Sequence, residues 1–93
     1  MTDEFQERVR KAAAALVAAG AHEVFLFGSA AAGRVSDESD VDLAVAGLPP
    51  ENFFRAMGEA EDILQRPLDL IDLDESNPFT RYLKEEGGLV RVD

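Results

Sequence analysis

The run Val24-Phe25-Leu26-Phe27 is unbroken in its apolar character and stops at Gly28-Ser29. A strand of β-branched and aromatic residues without a polar alternate has no face for water, so it must be covered on both sides. A chain of 93 residues has room for one small core only, so the covering elements must come from the immediately flanking sequence.

Those flanks are helical in pattern. Phe5, Val9, Ala12, Ala13, Leu16 and Val17 recur at helical spacing across residues 3–19, with Glu4, Glu7, Arg8 and Lys11 on the opposite side and Gly20 suited to the stop. Between Glu51 and Gln65, Phe53, Phe54, Met57, Ala60, Ile63 and Leu64 repeat the pattern. Asn77-Pro78 opens a third helix, whose packing face is expected from Phe79, Leu83 and Tyr82 and whose end is Gly87-Gly88. A fourth, short one is expected from Ser29 to near Arg34, closed by Gly33, ahead of a polar turn at residues 36–39.

Further strands alternate with these helices. Val41, Leu43 and Val45 interleave with Asp40, Asp42 and Ala44, the period of a strand with one apolar face, and Pro49-Pro50 ends it. Residues 68–73, LDLIDL, form another strand, and residues 89–92 a short last one. The order predicts a small sheet covered by helices, with strand order and direction left open by periodicity.

Composition narrows the chemistry. There are 19 acidic and 9 basic residues, a formal charge of -10, which repels a phosphate backbone and argues against direct nucleic-acid binding. The same excess suits divalent cations, which need clustered oxygen ligands. Cysteine is absent, so disulfides and thiolate metal sites are excluded. No apolar stretch approaches the roughly 18 residues of a membrane helix, and no basic region leads into an apolar one at the N-terminus, so a cytoplasmic, membrane-free protein is expected.

The stretch from Gly28 to Val45, GSAAAGRVSDESDVDLAV, carries the chemistry. Gly28 lets the backbone approach a ligand closely, and Ser29 opens a helix whose first N–H groups can meet phosphate. Asp40 and Asp42, two residues apart on a strand, project from one face and can bridge a pair of divalent ions about 3.5–4 Å apart. An aspartate within LDLIDL is costly unless it is bonded, metal-bound or at an edge. Asp69 and Asp72 differ in parity, so only one of them can join the pair. A phosphate loop of the NTPase type fails because Arg34 and Val35 stand where Lys and Ser or Thr are needed. A calcium loop fails because no register supplies ligands at positions 1, 3 and 5 with Gly at 6. His22 has no partner His or Cys and reads as a solvated loop residue.

Gly28-Ser29, ten residues and Asp40-Val41-Asp42 together resemble the signature of the minimal nucleotidyltransferases of the DNA polymerase β superfamily. With Gly33, the five fixed positions Gly28, Ser29, Gly33, Asp40 and Asp42, at about 7% each, coincide about once per 10⁶ starting points, so the pattern is specific. The resemblance implies an α+β fold, a small mixed sheet covered by helices, with residues 1–93 forming a single minimal nucleotidyltransferase domain. It also implies roles. Gly28 and Ser29 hold the triphosphate of ATP, Arg34 pairs with phosphate, and Asp40, Asp42 and Asp69 bind two Mg²⁺ ions. Asp69 is preferred to Asp72 because Leu68-Asp69-Leu70-Ile71 fits the family's apolar-Asp-apolar-apolar strand. The implied reaction is transfer of AMP to an acceptor hydroxyl, a tyrosine of a small helical HEPN-domain toxin to which the chain is the antitoxin. The alternatives are a non-catalytic nucleotide- or partner-binding regulatory module, and transfer to a small molecule such as an aminoglycoside.

Overall fold

The computed structural model describes residues 3–33 and 40–93, apart from the side chain of Ser29. Helix α1 spans Asp3–Ala18, strand β1 Glu23–Phe27, the one-turn helix α2 Gly28–Ala31 and strand β2 Val41–Ala46. A 3-10 turn at Pro50–Asn52 leads into α3, Phe53–Leu64, followed by β3, Leu68–Asp72, α4, Pro78–Glu86, and β4, Val90–Arg91. The expected order of elements is therefore present. Two boundaries differ: α2 starts one residue earlier and is shorter, and the turn led by Pro50 precedes α3 as a separate 3-10 element.

The four strands form one mixed sheet in the order β3-β2-β1-β4. β1 runs antiparallel to β2 and to β4, while β2 and β3 are parallel. The parallel pair requires a crossover, and α3 supplies it, which also carries the chain over one face. On that face Val24, Leu26, Val41, Leu43, Val45 and Leu70 meet Phe5, Val9, Leu16, Ala56, Ala60 and Leu64 from α1 and α3 in a single buried cluster. Alanines 12, 13, 56 and 60 are all fully buried, and their small side chains let the two helices approach each other and the sheet closely.

The other face is covered only in part. Phe27, Ala44, Leu73 and Leu83 form a smaller buried cluster there, with Phe25, Ala46, Ile71 and Leu89 packed against it. α4 lies over this half. Its start is fixed by a capping box, in which the Asn77 carboxamide accepts from Thr80 N–H at 2.9 Å and the Thr80 hydroxyl accepts from Asn77 N–H at 3.2 Å. The same hydroxyl donates to the Glu75 carbonyl at 2.6 Å, which explains why the buried polar residue on this helix is a threonine.

Loop connections are fastened by specific polar contacts. Gly20 takes φ +121° after α1, and a Cβ there would sit 2.7 Å from Pro49 Cδ, so the expected glycine stop is also a packing requirement. Asn52 Nδ2 donates to the Ala19 carbonyl at 2.8 Å, tying the 3-10 turn to the end of α1. At the other edge Val24 N–H donates to the Asp93 carboxylate at 2.9 Å, which Arg91 also engages at 3.0 Å. These bonds hold Asp93 below the usual carboxylate range, the Arg91 hydrogen bond contributing most.

Several expected packing residues face outward. Phe54 is 77% exposed, because the buried stripe of α3 runs through Ala56, Ala60 and Leu64 and Phe54 lies about 100° per residue away from Phe53 around the helix. Val17, Phe79 and Tyr82 are also exposed. On α4 it is Thr80 and Leu83 that are buried.

Candidate active site

Strand register places the carboxylates. Phe27, Asp42 and Asp69 are Cα partners across β1, β2 and β3, so the three side chains form a row on the incompletely covered face. Asp42 and Asp69 stand on adjacent strands, with backbones about 4.8 Å apart. Asp40 lies one residue before β2, where Val41 N–H donates to the Pro67 carbonyl at 3.0 Å and carries the β3 pairing up to that point. Asp72 aligns with Val45 and thus belongs to the other face. Its carboxylate accepts from Asp74 N–H at 2.9 Å in a turn at the far end of β3.

Gly28 follows the row directly. It has φ +73°, and a Cβ there would overlap the Asp42 Oδ2, with Asp42 Cγ at 3.2 Å. The turn that follows β1 is therefore pressed against the carboxylate on β2, a contact only glycine allows. The Ser29 backbone lies in α2. Arg34, expected to pair with phosphate, lies outside the described residues, as does the Ser29 side chain.

The site is electrostatically unbalanced. Among the described residues no lysine or arginine forms an ion pair with Asp40, Asp42 or Asp69. Asp42 consequently holds its proton above the usual carboxylate range, chiefly because it is partly buried, then because of the charges on Asp69 and Asp40. The contrast with Asp93 is direct: one carboxylate meets N–H donors and a guanidinium, the other meets two more carboxylates.

A divalent cation would correct that imbalance. Three carboxylates offer hard oxygen donors of the type Mg²⁺ takes, and a bound cation inverts the local proton preference. Among the described residues no three His, Cys, Asp or Glu side chains are already gathered closely enough to hold a metal ion. Asp40 and Asp69 are exposed and Asp42 half-buried, so the exposed pair can swing toward a shared ion without repacking the core.

Sequence reasoning overlooked two supports of this site. Glu61 on α3 accepts from Leu68 N–H at 2.9 Å, which fixes the backbone immediately before Asp69. Phe79 brings its ring to 6.3 Å from that of Phe27 at 64° and so reaches the end of the row. Helical spacing alone marks Phe79 as packing, and no local pattern marks Glu61, which stands on the solvent side of its helix.

The sequence matches the Polymerase beta, Nucleotidyltransferase family over residues 18–90. The chain belongs to this family, and it is a nucleotidyltransferase. Its fold is similar to that in a crystal structure of a toxin-antitoxin with AMP-PNP, with a TM-score of 0.68 and 18% identity, covering 95% of this chain and 72% of that one. No protein with a curated function matches it. Among the described residues no helix is long and apolar enough to cross a membrane.

Proposed function

We propose that residues 1–93 act as a minimal nucleotidyltransferase domain that moves AMP from ATP to a tyrosine hydroxyl of a HEPN-domain toxin, for which the chain is the antitoxin. The observation that carries the reaction is the alignment of Asp42 with Asp69, with Asp40 leading into the row and the Gly28 turn closed on Asp42. The partner reading is supported by the fold it shares with a toxin-antitoxin structure bound to AMP-PNP.

In this reading Asp40, Asp42 and Asp69 hold two Mg²⁺ ions, which when bound neutralise the triphosphate and stabilise the departing pyrophosphate. The chain's own groups do the rest. Backbone N–H groups at Gly28-Ser29 receive the β- and γ-phosphates, and Arg34 pairs with phosphate. Asp69, at the opposite end of the row, orients the acceptor hydroxyl and takes its proton on a carboxylate oxygen. The acceptor oxygen forms a bond to the α-phosphorus, the bond from that phosphorus to the bridging oxygen breaks, and pyrophosphate leaves. The net charge of -10 disfavours a nucleic-acid acceptor and favours a protein surface that brings its own cations.

Co-expression with a HEPN-domain partner, followed by intact-mass analysis after incubation with ATP and Mg²⁺, tests the reading. The partner should gain the mass of one adenylyl group at a tyrosine. Asp42→Asn should lower the rate at least about 10³-fold, since the ions contribute several kcal/mol, and should leave the complex intact. A partner that binds but is never modified, or is neutralised equally well by Asp42→Asn, would replace the enzyme with a docking module.

A further inference from the structure

The ring of Phe79 packs by its edge only and leaves about half of itself to solvent. It is 48% exposed, it stands on α4 beside the buried Thr80 and Leu83, and its ring contact is an edge-on one with Phe27. Phe27 is the third member of the row that holds Asp42 and Asp69, and Gly28 follows it in the chain. An exposed aromatic surface therefore flanks the carboxylates on the β1 side and continues toward Tyr82, one helical turn further along α4 and 55% exposed.

We propose that Phe79 is the surface on which the base of the bound nucleotide stacks. The inference rests on the nucleotidyl-transfer reading and follows from its stereochemistry. In-line displacement places the attacking oxygen and the leaving pyrophosphate on opposite sides of the α-phosphorus. Here that axis crosses the strands, from Asp69 on β3 to the Gly28 turn after β1. The nucleoside is carried by an oxygen off this axis, so it leaves the phosphorus along the strand direction. Along the strands lies α4, whose Phe79 ring meets that of Phe27 at the end of the row. A base has an apolar face of its own, and stacking on an aromatic side chain is tolerant of base identity. Phe79 then sets the affinity for the nucleoside rather than for the phosphates.

The chain contains no tryptophan, so Phe79→Trp introduces a single indole at the position in question. In Mg²⁺ buffer its emission should be quenched by ATP and left unchanged by tripolyphosphate. Calorimetric titration should show Phe79→Ala and Phe79→Leu binding ATP about 5- to 100-fold more weakly than the wild type, with tripolyphosphate bound equally by all three. Phe79→Leu keeps an apolar contact with Phe27 and should unfold at the wild-type temperature, which separates stacking from packing. Phe79→Tyr should restore ATP affinity. Unchanged ATP binding by Phe79→Leu, or an equal loss of ATP and tripolyphosphate, would overturn the proposal while leaving the transfer reaction standing. A wild-type chain that binds neither ligand would overturn both.

Discussion

The two faces of the sheet are built to opposite rules. Behind it, Val24, Leu26, Leu43 and Val45 are sealed under α1 and α3, and each is at most 2% exposed. In front, α4 covers one half, and the other half shows Asp40, Asp42 and Asp69 on a surface where like charges face each other across adjacent strands. Cross-strand carboxylates destabilise a sheet, and a strand of this kind survives because its reverse side is so thoroughly buried. Every β2 residue that points backward is a core residue, and the one forward position in register with Phe27 and Asp69 is Asp42. The alternation of a single strand thus separates holding the fold together from presenting the chemistry.

If that division is correct, damage to the rear face should appear as lost stability and damage to the front as lost chemistry. Leu43 is completely buried and partners both Leu26 and Leu70. Leu43→Ala should cost about 2–5 kcal/mol, measured by urea unfolding. The fraction that remains folded should bind ATP normally. A loss of ATP affinity in that folded fraction would show that the two faces are not independent.

Gly28 sits where the faces meet, and Gly28→Ala tests both at once. Holding an L-residue at φ +73° costs about 1–2 kcal/mol. The added methyl group also claims the space of the Asp42 carboxylate, which must rotate away. The variant should therefore lose modest stability and a much larger share of transfer activity. Full activity in Gly28→Ala would mean that the close approach to Asp42 serves the turn alone.

The same division explains what could be read beforehand. The elements and the rear face were legible, because apolar periodicity records burial directly: Phe5, Val9, Leu16, Val41, Leu43 and Val45 all lie where their spacing put them. Asp40 and Asp42 were visible through their two-residue separation, and the opposite parity of Asp69 and Asp72 through the same rule. Which strands are neighbours was not legible, since the pairing of Asp42 with Asp69 depends on the crossover made by α3. Phe54 and Phe79 misled for one reason. A phenylalanine near a helical stripe raises the apolar count whether it is inside the stripe or beside it, and only the packed helix decides.

The smallest expected effect is the most diagnostic, because it runs against the usual direction of mutation. Asp42 has its proton affinity raised by burial first and by Asp69 and Asp40 second. Below the ordinary carboxyl pKa of about 3.9 the group is protonated in both folded and unfolded chains and penalises neither. As pH rises through the higher folded pKa, the folded chain must carry a charge the unfolded chain bears more easily, and stability falls. Asp42→Asn removes that term. In metal-free buffer at pH 7 the variant should be more stable than the wild type, with the difference shrinking as the pH is lowered toward 4. Mg²⁺ should close the gap from the other side, by stabilising the wild type, since only the wild type retains the full set of carboxylates for the ion. Thermal unfolding of both proteins across pH, with and without Mg²⁺, reads out all of this. If Asp42→Asn is the less stable protein at pH 7 without metal, the front face is not a charge-strained surface awaiting a cation, and the contrast between the two sides of the sheet loses its electrostatic half.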